Sequence, residues 1–279
     1  MSTSARRPEY SVIVPAYQAA DVVGACVEAL AQQSLPRPRY EILVVDDGST
    51  DETAVVARAA GADRVFVIAH GGPAAARNAG IEAARGAILL FTDADCLPAR
   101  DWLLRMTAPF KAPGVSGVKG AYRTEQQEIV ARLAQCEFEE RYDLLARQET
   151  IDFVDAYAAA FRRSALDEGG TFDVAFTQAN NEDVDLSYRL AEAGHRLVFN
   201  REAVVYHRHP ASWWRYLRVK TRRGYWRMLV YRMHPGKALQ DSYTPQTLKL
   251  QVLLALLALG CVGLGFLWPA FLWGALLSL

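Results

Sequence analysis

The sequence predicts an α/β protein: a mostly parallel, Rossmann-like sheet with helices on both faces, followed by a C-terminal transmembrane helix. Three observations predict it. Strand-like and helix-like segments alternate over the first hundred residues. Acidic pairs stand just after two of the strands, where ligands bind on such sheets. The last 28 residues, Val252 to Leu279, contain no charged residue.

The elements follow in order. "YSVIVPAY" (10–17) is a buried strand stopped by Pro15. "DVVGACVEALAQQS" (21–34) has helical spacing, with Val22, Val23, Cys26 and Leu30 on one face and Asp21 as the expected cap. "YEILVVDDGSTDETAVVARAAG" (40–61) reads as strand, acidic loop and helix. "RVFVIA" (64–69) is a strand, and "GPAAARNAGIEAARG" (72–86) is a helix expected to end at Gly86. "AILLFTDADC" (87–96) is the fourth strand. From about residue 97 the pattern is mixed. "ARLAQCEFEERYDLLARQ" (131–148) is amphipathic, "FVDAYAAAFRRSAL" (153–166) reads as strand into helix, and "EDVDLSYRLAEAG" (182–194) as a capped helix.

Lys+Arg and Asp+Glu balance at 31 each. Net charge therefore says nothing about a nucleic-acid partner, and none is expected. The balance hides an asymmetry: Arg201 to Lys249 holds eleven basic residues against two acids, Glu202 and Asp241. Basic residues thus crowd the N-terminal side of the apolar run, and none follow it. About 20 apolar residues cross a bilayer. One span is expected near 248–268, with residues 1–249 on the cytoplasmic side of the cell (inner or plasma) membrane. Trp268-Pro269 breaks the run, so a second apolar segment is expected to be cut short by the chain end. "MSTSARRPEY" is polar and "SVIVPAY" too short for a signal core, so no secretory signal is expected. The cysteines (Cys26, Cys96, Cys136, Cys261) lack paired spacing, which fits a reducing compartment and neither a disulfide framework nor a zinc site.

The chemistry centres on "LLFTDADCLP". Asp93 and Asp95 are like charges one residue apart at the end of a buried strand. A divalent cation removes their repulsion and can then hold a diphosphate; Mg²⁺ or Mn²⁺ takes few protein oxygens and fills its other positions with phosphate and water. Alone, an Asp-x-Asp pair is also ordinary turn composition.

"SVIVPAYQA", "ILVVDDGSTDET", "GGPAAARNAGIEAARG", "LLFTDADC" and "NEDVDLSYRLAEAGHRL" occur here in the order seen in family 2 glycosyltransferases of the GT-A fold. The chain resembles that bacterial-type, membrane-anchored family over roughly residues 9 to 234. The resemblance implies a metal-dependent enzyme that moves a sugar from a nucleotide-sugar with inversion. It implies that Pro15, Ala16 and Tyr17 line the nucleotide base. Asp47 matches the base-recognising aspartate, with Asp46 and Ser49 beside it, and Arg77 matches a position that helps hold the nucleotide. Asp93 resembles the residue near ribose and metal, Asp95 the direct metal ligand, and His207 a histidine that completes the metal site in some members. Asp183 matches the catalytic base, and Glu182 beside it is expected, with Arg222 and Arg223, at the diphosphate or acceptor. Arg222, Arg223 and Gly224 sit where the family often has a basic segment over the diphosphate. Each residue also has a structural alternative. Glu182 and Asp183 suit the first turn of a helix, and the basic segment suits lipid headgroups.

Processive synthases of the superfamily carry Gln-x-x-Arg-Trp, whereas this chain has "RRGYW", which favours single addition. The donor is first expected to be a UDP-sugar, because Asp47 suits a uracil edge; guanine and thymine donors stay open. The acceptor is expected to be a lipid-linked or cell-surface glycan precursor in polysaccharide biosynthesis. Alternatives are transfer to a polyprenyl phosphate, which needs no base, and a non-catalytic sugar-nucleotide-binding protein. The expected organisation is a flexible 1–9, a catalytic domain over 10–234 (nucleotide half 10–96, acceptor half 97–234), a linker over 235–247 and membrane segments over 248–279.

Overall fold

A computed structural model describes residues 7–176, 181–239, 241–242 and 246–265. The first half runs β1 (Tyr10–Ala16), α1 (Val23–Ala31), β2 (Tyr40–Asp46), α2 (Thr53–Ala59), β3 (Arg64–Val67), α3 (Pro73–Ala83) and β4 (Ile88–Phe91). Next come β5 (Leu97–Pro98), α4 (Trp102–Thr107), β6 (Val115–Arg123), α5 (Ile129–Leu145), β7 (Ala159–Arg162), α6 (Arg163–Gly169), α7 (Glu182–Glu192) and β8 (Arg196–Tyr206). Helices α8 (Trp213–Met233), α9 (Pro235–Leu239) and α10 (Gln246–Gly265) follow.

One eight-stranded sheet has the order β3-β2-β1-β4-β7-β6-β8-β5. Its first four strands pair in parallel, as the strand–helix alternation requires. The second half departs from the expected mostly parallel sheet. Strand β7 runs antiparallel to both β4 and β6, and β5 antiparallel to β8. Strands β6 and β8 are parallel but slip register twice. Glycines sit at both slips, where neighbouring atoms approach closely. A Cβ on Gly117 would lie 2.7 Å from Leu197 Cδ2, and one on Gly120 2.5 Å from the Ala203 carbonyl oxygen. The core lies on both faces of the central strands, where Val12, Ile13, Val14, Ile42, Leu43 and Val44 are fully buried. That is why these stretches read as unbroken apolar runs and not as alternating ones.

Three local expectations are corrected. Asp21 does not cap α1, which starts after Val22 with no side-chain cap. The loop before it is held instead by Thr53 Oγ1 and Asp51 Oδ2, which accept from Ala19 N (2.8 Å) and Ala20 N (3.1 Å). Helix α3 ends at Ala83, not at Gly86. Gly86 instead packs on the β1 backbone, where a Cβ would meet Ser11 N at 2.6 Å. Helix α7 has no side-chain cap; Asn181 precedes it in the left-handed region at φ 66°.

The stretch expected as a linker is tied to the domain: Lys237 Nζ donates to Asp152 Oδ2 at 2.7 Å, and Ser242 N to Asp152 Oδ1 at 2.9 Å. No helix among the described residues is long and apolar enough to cross a membrane. The span expected near 248–268 extends beyond the described residues. The rest of the apolar run, 266–279, lies outside the described residues.

Candidate active site at the carboxyl ends of the strands

Strand β1 ends at Ala16, β2 at Asp46 and β4 at Phe91, so their following loops meet at one edge of the sheet. There Ala16 O accepts from Asp47 N at 2.8 Å, which sets the β2 loop against the first-strand motif. Gly48 takes φ 75°, a left-handed turn that favours glycine. Asp46 Oδ1 accepts from Ser49 N at 2.9 Å, and Ser49 Oγ from Gln18 N at 2.9 Å. Pro15 and Ala16 are strand residues beneath these loops, while Tyr17 is half exposed above them.

Asp47 is buried but not free. Its Oδ1 accepts from Gly71 N (2.8 Å), and its Oδ2 from Gly72 N (2.9 Å) with His70 Nδ1 at 2.9 Å. A carboxylate has about four acceptor sites, so one remains for a ligand N–H. His70, absent from the sequence reading, also stacks on Tyr17 with ring centroids 4.4 Å apart. Nothing in "AHGG" marks that histidine, because only the fold brings the β3 loop beside Tyr17.

Arg77, on α3, joins the two halves of the domain. Its Nη2 donates to Asp93 Oδ1 at 2.9 Å and its Nη1 to Glu182 Oε1 at 2.5 Å. Burial works against the guanidinium charge, but Glu182, Asp93 and Asp183 outweigh it and hold the group charged. The side chain is only 4% exposed. Its two terminal nitrogens are taken by Asp93 and Glu182, and its Nε is buried without a partner. Burial pushes the carboxyls of Asp93 and Glu182 upward; Arg77 opposes this for both without fully reversing it.

Asp183 stands in the first turn of α7, half-buried. Its Oδ2 accepts from Ala156 N and its Oδ1 from Val184 N, each at 2.9 Å. Ala156 follows Asp155, which pairs with the fully buried Lys119 of β6; Tyr157 Oη lies 3.3 Å from the same ammonium. Lys119 was also invisible to the sequence reading, since a lone lysine in "VSGVKGAYR" looks like a surface residue.

Asp95 and His207 come together: Nδ1 and Oδ1 are 3.7 Å apart, too far for a hydrogen bond. Burial pushes the Asp95 carboxyl up, yet His207 outweighs it and holds the group below its ordinary range. His207 stacks on Tyr122 at 4.8 Å, and its Nδ1 is buried with no partner. An orphaned imidazole nitrogen facing a carboxylate is the donor set a divalent cation fits. Both residues open onto a cavity of about 450 Å³ that also touches Asp21, Gln126, Glu128 and Tyr206. Of the basic segment, Arg222 and Arg223 lie on α8 and are exposed. Arg223 O accepts from Asn181 Nδ2 at 3.4 Å, which places this turn of α8 beside the head of α7.

Fold and site together define an α/β protein with an acidic, metal-capable centre at the strand ends. A model of glycosyl transferase family 2 matches residues 11–170, more than half of the chain, and the chain belongs to that family. It is 41% identical over 118 residues to the glycosyltransferase AglE of Haloferax volcanii, covering 40% of this chain and 39% of AglE. Among solved structures, it resembles the mannosyltransferase PcManGT from Pyrobaculum calidifontis in complex with GDP-Man and Mn²⁺. That likeness has a TM-score of 0.66 and 25% identity, over 86% of this chain and 66% of PcManGT. It shares the fold of S. aureus TarS 1-349 in complex with UDP, with a TM-score of 0.54 and 21% identity, over 71% of this chain and 60% of that one. The chain thus spans less than two thirds of the length of each of these relatives.

Proposed function

We propose that this chain is an inverting glycosyltransferase that moves a sugar from a nucleoside-diphosphate sugar to an acceptor hydroxyl. The observation that carries this is the convergence of Asp95–His207, Arg77–Asp93 and Asp183 at one edge of the sheet, on a family 2 fold. Asp47, with one acceptor site left and Tyr17 and His70 at the rim, receives the base; Pro15, Ala16 and Ser49 shape that wall. Asp93, steadied by Arg77, faces the ribose side. Asp95 and His207 hold Mn²⁺ or Mg²⁺, which when bound neutralises the charge of the departing diphosphate. Arg222 and Arg223 add positive charge from α8. Asp183, fixed by Ala156 N–H, takes the proton of the acceptor hydroxyl. One displacement on the face opposite the leaving group inverts the anomeric centre.

UDP remains the first donor candidate from the Asp47 edge, with GDP the nucleotide seen on the mannosyltransferase relative. The acceptor we favour is a lipid-linked or cell-surface glycan precursor at the cytoplasmic membrane face. Helix α8 supports a membrane neighbour: it exposes Trp213, Trp214, Tyr225 and Met228 among Arg215, Arg218, Arg222 and Arg223. Helix α10 beyond it exposes Leu250, Leu256, Leu257 and Leu259. The test of the base is Asp183→Asn. Its transfer rate should fall roughly 10²–10⁴-fold with nucleotide affinity unchanged. Transfer at the wild-type rate would remove Asp183 from the mechanism.

A further inference from the structure

Asp95 and His207 do not account for every donor atom at this corner. Cys96 Sγ lies 3.7 Å from Asp95 Oδ1 and 3.9 Å from Tyr122 Oη. The Asp95 carboxylate, the Cys96 thiol and the His207 imidazole each offer one ligand atom, and these atoms all lie within 4.8 Å of one another. Tyr122 backs two of them: its ring stacks on His207 and its hydroxyl sits beside Cys96. His207 Nδ1 is buried without a partner, and Cys96 is completely buried. Asp95 and His207 line the cavity of about 450 Å³, while Cys96 is not among its lining residues.

We propose that Asp95, Cys96 and His207 form a mixed oxygen–sulfur–nitrogen site that takes a thiophilic divalent ion of the Zn²⁺ type. The inference rests on the reading that Asp95 and His207 hold the metal, and it adds Cys96 as a soft third ligand. Ligand atoms around a tetrahedral Zn²⁺ stand about 3.5 Å apart, given ~2.0–2.3 Å bonds, so the trio closes by roughly an ångström on binding. Sulfur favours Zn²⁺ over the hard Mg²⁺ and Mn²⁺, and three protein ligands leave the fourth position open. Binding forms a metal–sulfur bond and releases the thiol proton to solvent. Zn²⁺ therefore competes with Mn²⁺ for the same corner.

The experiment is a Co²⁺ titration of the full chain without nucleotide, with Co²⁺ as the spectroscopic stand-in for Zn²⁺. A thiolate-to-cobalt charge-transfer band is expected in the wild type and in Cys136→Ser, which removes the exposed thiol. It should be lost in Cys96→Ser and in His207→Asn, and abolished by added Zn²⁺. Two separate variants keep the test decisive if one of them fails to fold. A band that survives Cys96→Ser, or no band at all in the wild type, overturns the inference. With Mn²⁺-dependent nucleotide binding intact, either result removes Cys96 alone and leaves the metal reading of Asp95 and His207. Loss of nucleotide binding in the wild type would count against that reading instead.

Discussion

Arg77 Nη1 meets Glu182 Oε1 at 2.5 Å, a contact that spans 105 positions of the chain and ties α3 to the head of α7. The nucleotide half and the half that carries Asp183 are thus joined through one buried guanidinium, which also holds Asp93. Buried ion pairs add little net stability, but stranding one partner is expensive.

Arg77→Ala should therefore destabilise the fold by about 3–5 kcal/mol, because it leaves Glu182 and Asp93 without their countercharge. The double variant Arg77→Ala/Glu182→Gln should recover part of that loss, since the two residues act as a pair. Urea unfolding of the wild type, the two single variants and the double variant measures it. Simple additivity would show that the contact carries no coupling.

Lys119 acts at one remove. Its pair with Asp155 fixes the segment whose Ala156 N–H holds Asp183. Lys119→Met should lower kcat about tenfold or more while leaving KM for the nucleotide-sugar near its wild-type value, as misplacement of a catalytic group does. An equal fall in nucleotide affinity would point to general loosening instead. A buried, unpaired Asp155 should also show as a lower melting temperature.

His209 predicts an acid-sensitive step. Burial, aided by His207 and then by Arg223 and Lys220, lowers its pKa from 6.5 to about 4, and its Nε2 sits 3.0 Å from Gln135 Oε1. The unfolded chain takes up the proton first as pH falls. The stability is complete above pH 6.5 and is lost as pH falls towards 4. At 1.36 kcal/mol per pKa unit, the loss is at most about 3 kcal/mol. Unfolding measured in chelator between pH 7.5 and 4 should show this slope in the wild type and a flatter one in His209→Gln. Equal slopes would remove His209 as the cause.

The first half of the fold was legible because parallel strands buried on both faces write continuous apolar runs, as in "SVIV" and "ILVV". Motif order then pointed to Asp47, Asp93, Asp95 and Asp183, which the fold gathers along one edge. The second half was not legible. Strand β6 is interrupted by Gly117 and Gly120 and pairs with β8 through two register slips, so neither strand shows clean alternation or an apolar run. Asp21 looked like a cap by composition, yet Thr53 and Asp51, some thirty positions away, make the bonds that hold its loop. His70, Lys119 and Cys96 stayed hidden for a related reason. Each gains its place from partners distant in sequence or, for Cys96, from burial that a loop position does not announce.

The central claim is a metal-dependent nucleoside-diphosphate site built on Asp95. Calorimetric titration with UDP, GDP and dTDP, each with and without Mn²⁺, on wild type and Asp95→Ala, tests it most directly. The account predicts Mn²⁺-dependent binding of one nucleotide that disappears in Asp95→Ala. Binding of none of the three, or binding indifferent to both Mn²⁺ and Asp95, would contradict it.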